Sequence, residues 1–122
     1  MQAHLVFVIK FRHHVFSDRH LTRCEKITRN VCADFETELT EFNGQSNHVH
    51  LPVNFPPKVA VSKLVNSLKG TSSRRLRQEF PNLLQHYYRA NRLWAGSYFA
   101  GSAGGAPLSI VRRYTENQNR PL

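Results

Sequence analysis

The amino-acid sequence predicts an α+β domain, a ferredoxin-like (split βαβ) antiparallel sheet with two helices on one face, extended by a C-terminal helix that carries a tyrosine. Three observations predict it. The hydrophobic period changes along the chain in the order strand, helix, strand, strand, helix, strand, then helix. The length of 122 residues suits one domain. No internal repeat or low-complexity stretch interrupts the pattern beyond one glycine-rich joint.

"AHLVFVIKF", residues 3–11, is rich in β-branched and aromatic residues and reads as a buried strand. In "FSDRHLTRCEKITRNVCADFETEL" the residues Leu21, Cys24, Ile27, Val31, Phe35 and Leu39 recur at helical spacing, with Ser17 or Asp18 as N-cap. Asn43-Gly44 is a strong turn signal, which predicts a hairpin of strands at about 38–42 and 46–55. Pro52 predicts a bulge or an edge position in the second of these. Pro56-Pro57 breaks the chain, and Val61, Leu64, Leu68, Leu76 and Phe80 resume a helical stripe. Gly70 inside that stripe predicts a kink or a close backbone approach. A fourth strand is expected around Leu93 to Ala100. Gly101, Gly104 and Gly105 read as a flexible joint, so the domain divides into a core at 1–100, a hinge at 101–106 and a helix at 107–120. Pro107 suits the first turn of that helix, and Pro121 stops it.

The formal charge is +9, and its distribution is uneven. Up to Pro57 there are six Lys/Arg and six Asp/Glu; from Lys58 onward there are eleven Lys/Arg and two acids, Glu79 and Glu116. The whole surplus sits in the second half, which favours a polyanion partner, nucleic acid above all. No apolar run approaches the roughly 18 residues that span a membrane, and the N-terminus lacks the cleavage pattern of a signal peptide. Cys24 and Cys32 lie about two helical turns apart, too far for a disulfide along one helix. They read as buried thiols of a protein in a reducing cytoplasm.

"NHVHLPV", residues 47–53, places His48 and His50 on one face of a strand, roughly 6–7 Å apart along it. Such a pair is either a polar strand face or a chelating pair. In the last helix Tyr114 and Gln118 stand four residues apart and share a face. A tyrosine and an amide, reached through a glycine joint, can meet two imidazoles on a sheet.

Several blocks carry a resemblance. "NHVHLPV" resembles the histidine–hydrophobic–histidine motif, which in its relatives is usually preceded by Asp and followed by Leu-Leu-Val. "KLVNSLKGTSSRRLRQEFP", "LWAGSYFAGSAGGAP", "IVRRYTENQ" and the opening "HLVFVIKFRHHVF" are similar, in order, to blocks of the single-tyrosine transposases of the 200/605 insertion-sequence family. The resemblance implies an enzyme that cuts and rejoins single-stranded DNA at insertion-sequence ends through a 5′-phosphotyrosine link. It implies Tyr114 as the nucleophile and His48, His50 and Gln118 as ligands of a divalent metal, Mg²⁺ or Mn²⁺; imidazole suits Mn²⁺ better. It also implies a homodimer, with Tyr114 acting in its own subunit or in its partner, and a DNA partner with hairpin ends.

For DNA binding, Lys69, Arg74, Arg75 and Arg77 are candidates, with Ser72 and Ser73 as phosphate donors. Lys10 and Arg12 match the family's basic block, and Lys63 precedes it on the helix. Trp94 and Phe99 read as core residues, and Tyr98 either as core or as a surface on which bases stack. His4, His13, His14, His20 and His86 have no assigned role. Two other readings share the fold. One is a domesticated relative that processes repeated palindromic DNA. The other is a non-enzymatic binder of single-stranded nucleic acid, which needs aromatic residues such as Phe7 and Phe11 exposed on the sheet.

Overall fold

A computed structural model describes residues 1–10, 14–84, 93–95 and 99–102. The elements are β1 (Gln2–Val8), α1 (Asp18–Asp34), β2 (Glu38–Leu39), β3 (Asn43–Gly44), β4 (His48–Asn54), α2 (Val61–Glu79), a 3-10 turn (Pro81–Leu84) and β5 (Phe99–Ser102). The sheet runs β2-β4-β1-β5, with β3 also paired to β4, and every pairing is antiparallel. This is the ferredoxin-like order that the sequence predicts. The final helix expected at 107–120 lies outside the described residues, as do Gly104 and Gly105.

Strand alternation divides the sheet into two faces. Ala3, Leu5 and Phe7 of β1, with Ile9 just beyond it, join Val49, Leu51 and Val53 of β4 beneath the helices. They pack against Cys24, Ile27 and Val31 of α1 and Leu64, Leu68 and Leu76 of α2, all buried. The other face carries His4, Val6 and Val8 beside His48, His50 and Pro52. Val6 and Val8 are fully buried there, outside the helix-side cluster. Both cysteines are free and buried, as expected; burial pushes the Cys24 thiol up to about 12 and the Cys32 thiol to about 11.

Ser17 caps α1, and its backbone N–H donates to His20 Nδ1 at 3.0 Å. An N–H can only donate, so Nδ1 carries the lone pair and His20 is neutral in this contact. Histidine thus does the work of the Glu or Gln usual at the third position of a capping box. The helix ends earlier than its apolar stripe. Thr37 N–H reaches Cys32 O at 2.8 Å and Glu36 N–H reaches Ala33 O at 3.0 Å. With Glu36 at φ 53°, this is a Schellman stop formed without glycine. Leu39 therefore belongs to β2.

Four expectations are corrected. Asn43-Gly44 is not the turn: both residues form β3, and the chain reverses at Ser46-Asn47, closed by Gln45 N–H to His48 O at 2.8 Å. A Cβ at 44 would lie 2.6 Å from Leu21 Cδ2 of α1, so any larger residue there would make the Leu21 side chain turn aside. Pro52 causes no bulge and lies on an interior strand. Its carbonyl accepts Thr40 N–H at 3.0 Å, and N and C=O of one residue face the same side of an antiparallel strand. The missing N–H thus faces the break between β2 and β3, where no ladder bond is lost. Gly70 is an ordinary position in an unbroken α2, with nothing within 4 Å of a Cβ built there. Of the strand expected around Leu93 to Ala100, Phe99 and Ala100 lie in β5, Trp94 forms an isolated bridge with Ile9, and 96–98 lie outside the described residues. Gly101, read as part of the joint, is a β5 residue paired with His4.

Ser72 and Ser73 are buried on α2 and hold the segment at 93–94. Trp94 Nε1 donates to Ser72 Oγ at 2.9 Å, and Leu93 N–H donates to Ser73 Oγ at 3.0 Å. Trp94 is core, 3% exposed and edge-on to Phe7 and Phe16. The two serines are therefore internal hydrogen-bond partners, in place of the phosphate donors expected.

Candidate functional site

The β1–β4 ladder fixes the site. Seven residue pairs run from Gln2↔Asn54 to Val8↔His48, so His48 and His50 stand on the face opposite the helices. Asn47 sits where β4 begins. Its carbonyl accepts Ile9 N–H at 2.8 Å, and the residue is buried, 6% exposed. Its Oδ1 lies 2.8 Å from His48 Nδ1. An amide oxygen only accepts, so His48 donates from Nδ1 and its acceptor lone pair is on Nε2. Asparagine at the position usual for Asp thus sets the same tautomer a carboxylate would set.

His50 has a close neighbour that the sequence reading left without a role. His4 of β1 lies diagonally across the ladder, and its Nδ1 is 2.8 Å from His50 Nε2. The ring centroids are 5.0 Å apart, tilted by 32°. Burial lowers the pKa of His50, the charge of His4 lowers it further, and Glu41 opposes both. His50 is therefore held neutral, the form in which imidazole binds a metal. Beside His4 a cleft of about 240 Å³ opens between Gln2, Thr40, Glu41 and Pro52. On the other side, β5 presents Gly101 directly opposite His4 and so places no side chain against it. One signal in the sequence marks His4: it interrupts the apolar run that otherwise extends from Ala3 to Ile9.

Among the described residues no three His, Cys, Asp or Glu side chains form a group able to hold an ion. The close pair is His4–His50, with His48 on the same face. The donor chemistry nonetheless fits a divalent metal: neutral imidazoles, tautomer fixed at His48, on a rigid ladder. Tyr114, Gln118 and Arg12 lie outside the described residues.

The basic candidates separate. Lys63 and Arg74 are exposed on α2, in the helical layer. Arg75 leans toward Glu79 at 3.8 Å, and Arg77 Nε donates to Ser73 O at 3.1 Å. Lys69 Nζ donates to Ala95 O at 2.6 Å and lies 5.9 Å from the centre of the Phe7 ring. Lys10 is half-buried, and its backbone N–H donates to Leu93 O at 2.9 Å. Lys63 and Arg74 are thus on the opposite side of the sheet from the imidazoles.

Comparison with known proteins follows the same line. A family described as "Transposase IS200 like" matches residues 1–118. The chain belongs to the IS200-like transposase family. The ISDra2 transposase TnpA of Deinococcus radiodurans is 28% identical over 119 residues, 98% of this chain and 84% of that protein. The transposase for insertion sequence element IS200 of Salmonella typhimurium is 30% identical over 101 residues, 83% of this chain and 66% of that protein. A crystal structure of a Deinococcus radiodurans transposase superimposes with a TM-score of 0.91 at 28% identity, covering 99% of this chain and 92% of its own. A REP-associated tyrosine transposase bound to a REP hairpin matches with a TM-score of 0.61 at 9% identity, a likeness of fold. As in any IS200-like transposase, the work to be explained is the cutting and joining of DNA. No helix among the described residues is long and apolar enough to cross a membrane.

Proposed function

We propose that this transposase cleaves and rejoins single-stranded DNA at insertion-sequence ends, with Tyr114 as nucleophile and His48, His50 and Gln118 holding Mg²⁺ or Mn²⁺. The observation that carries the reading is the His48–His50 face, with Asn47 fixing the His48 tautomer, in a member of a transposase family that also retains "IVRRYTENQ". A phenol of reference pKa about 10 is a weak nucleophile near neutrality. The bound cation would supply charge neutralisation at a phosphate oxygen, where negative charge grows in the transition state.

Tyr114 Oη forms a bond to phosphorus as the bond from phosphorus to the 3′-oxygen breaks. The phenolic proton leaves to solvent, and the departing oxygen takes one up. A 5′-phosphotyrosine link and a free 3′-hydroxyl result. A second 3′-hydroxyl attacking the same phosphorus reverses these steps and joins a new strand without nucleotide hydrolysis. The enzyme works as a homodimer. Lys63 and Arg74, exposed on α2, hold DNA away from the reacting phosphate, Arg75 and Arg77 add to that surface, and Arg12 is a further contact to the DNA backbone.

The non-enzymatic alternative has less support: Phe7 lies in the core, so it offers no base-stacking surface on the open face of the sheet. The test is covalent capture of a labelled single-stranded oligonucleotide carrying the element's own end, in Mn²⁺, beside the same end as duplex. An adduct with single strand only, lost in Tyr114→Phe, is the expected result. Binding with no adduct in any metal overturns the proposal.

A further inference from the structure

We infer that His4 shares the divalent ion with His50, as a further imidazole ligand supplied by β1. This rests on the metal-dependent reading above and extends it to a residue outside the histidine–hydrophobic–histidine motif.

The geometry carries it. His4 Nδ1 and His50 Nε2 face one another at 2.8 Å, so one proton is shared between two ring nitrogens. Two nitrogens bound at right angles to one ion, each at about 2.1 Å, are about 3.0 Å apart. The separation of the two nitrogens therefore needs to change little, while each ring turns so that its lone pair points at the ion instead of at the other ring. Their backbones cannot drift, because both strands lie inside the sheet: β1 between β4 and β5, and β4 between β1 and β2. Register sets the approach, with Val6 opposite His50 and His4 opposite Pro52, a diagonal within reach of long side chains.

The surroundings leave room for the ion and its remaining ligands. Gly101 stands opposite His4 on β5, and the cleft that contains His4 opens toward Thr40 and Glu41 on the other side. A carboxylate there favours a cation. The consequence is a nitrogen-rich donor set. An imidazole added beside His50 moves the preference from Mg²⁺ further toward Mn²⁺ and other metals that accept nitrogen.

The test counts nitrogens. Mn²⁺ is added to the whole chain without DNA, and pulsed electron paramagnetic resonance measures the ¹⁴N nuclei coupled to the bound ion. The same measurement is made on His4→Ala, and on His4→Phe, which keeps a ring in place should the alanine variant fail to fold. Far-UV circular dichroism and the metal-free melting midpoint serve as fold controls. The expected result is one fewer coupled nitrogen in the folded His4 variant and a roughly tenfold or greater loss of Mn²⁺ affinity. An unchanged nitrogen count overturns the inference even if affinity falls, since His4 would then act only by positioning His50. If His50→Ala loses Mn²⁺ while the His4 variants bind with the wild-type count, the inference alone fails. If the wild-type chain binds no Mn²⁺, the metal-dependent reading fails with it.

Discussion

Replacing Ser72 with alanine removes one oxygen from the interior and leaves a donor with nowhere to go. Ser72 Oγ gives its proton to Leu68 O at 2.6 Å and accepts Trp94 Nε1–H at 2.9 Å. In alanine the Leu68 carbonyl keeps its helical bond, but the indole N–H, on a ring only 3% exposed, is stranded. An unpaired buried donor costs about 1–3 kcal/mol. Alanine returns about 0.5 kcal/mol through its better helix propensity. The net loss is therefore about 0.5–2.5 kcal/mol, or roughly 2–10 °C in melting midpoint for a chain of this length. The assay is urea unfolding followed by fluorescence, for which Trp94, the sole tryptophan, is the reporter. A loss under 0.5 kcal/mol with weakened DNA binding would refute the reasoning and return Ser72 to the phosphate-contacting role that its basic neighbourhood first suggested.

Three further outcomes are expected. The His20 pKa is lowered by burial first and by Arg19 second, so below pH about 6.5 the unfolded chain takes up a proton before the folded one. Thermal stability should then decline as pH falls through this range, and less steeply in His20→Gln, where an amide oxygen still caps Ser17 N–H. Cys24 and Cys32, with thiols near 12 and 11, should resist a disulfide reagent at pH 8 in the native protein and react together on unfolding; rapid native modification of either contradicts their burial. Asn47→Leu should weaken Mn²⁺ binding by about 10- to 100-fold, measured calorimetrically, because His48 loses the acceptor that sets its tautomer.

Strand and helix order are legible in the sequence because each buried face repeats at its own period. Leu5, Phe7, Val49 and Leu51 all fall where alternation puts them. The shared face of His48 and His50 follows from the same rule. The partnership of His4 with His50 does not, since it depends on the pairing of residues 46 apart, and one histidine in an apolar strand carries no register. Asn43-Gly44 has the composition of a turn, but pairing with His50 and Val49 of β4 prevails over local preference. The serines at 72 and 73 are masked by their basic neighbours. Helical phase exposes them: Leu68, Ser72 and Leu76 are spaced by four, so Ser72 belongs to the buried stripe.

The seven-pair ladder of β1 with β4 also protects the chemistry from error. Sliding β4 by one residue would turn both motif imidazoles under the helices and move Val49, Leu51 and Val53 out of the core to the half-buried opposite face. At about 1.5–3 kcal/mol for each aliphatic side chain, such a mistake is prohibitive. Three apolar residues beneath the helices thus act as proofreaders of the imidazole pair, and evolution can vary the outward side chains while the inward ones keep the alignment true.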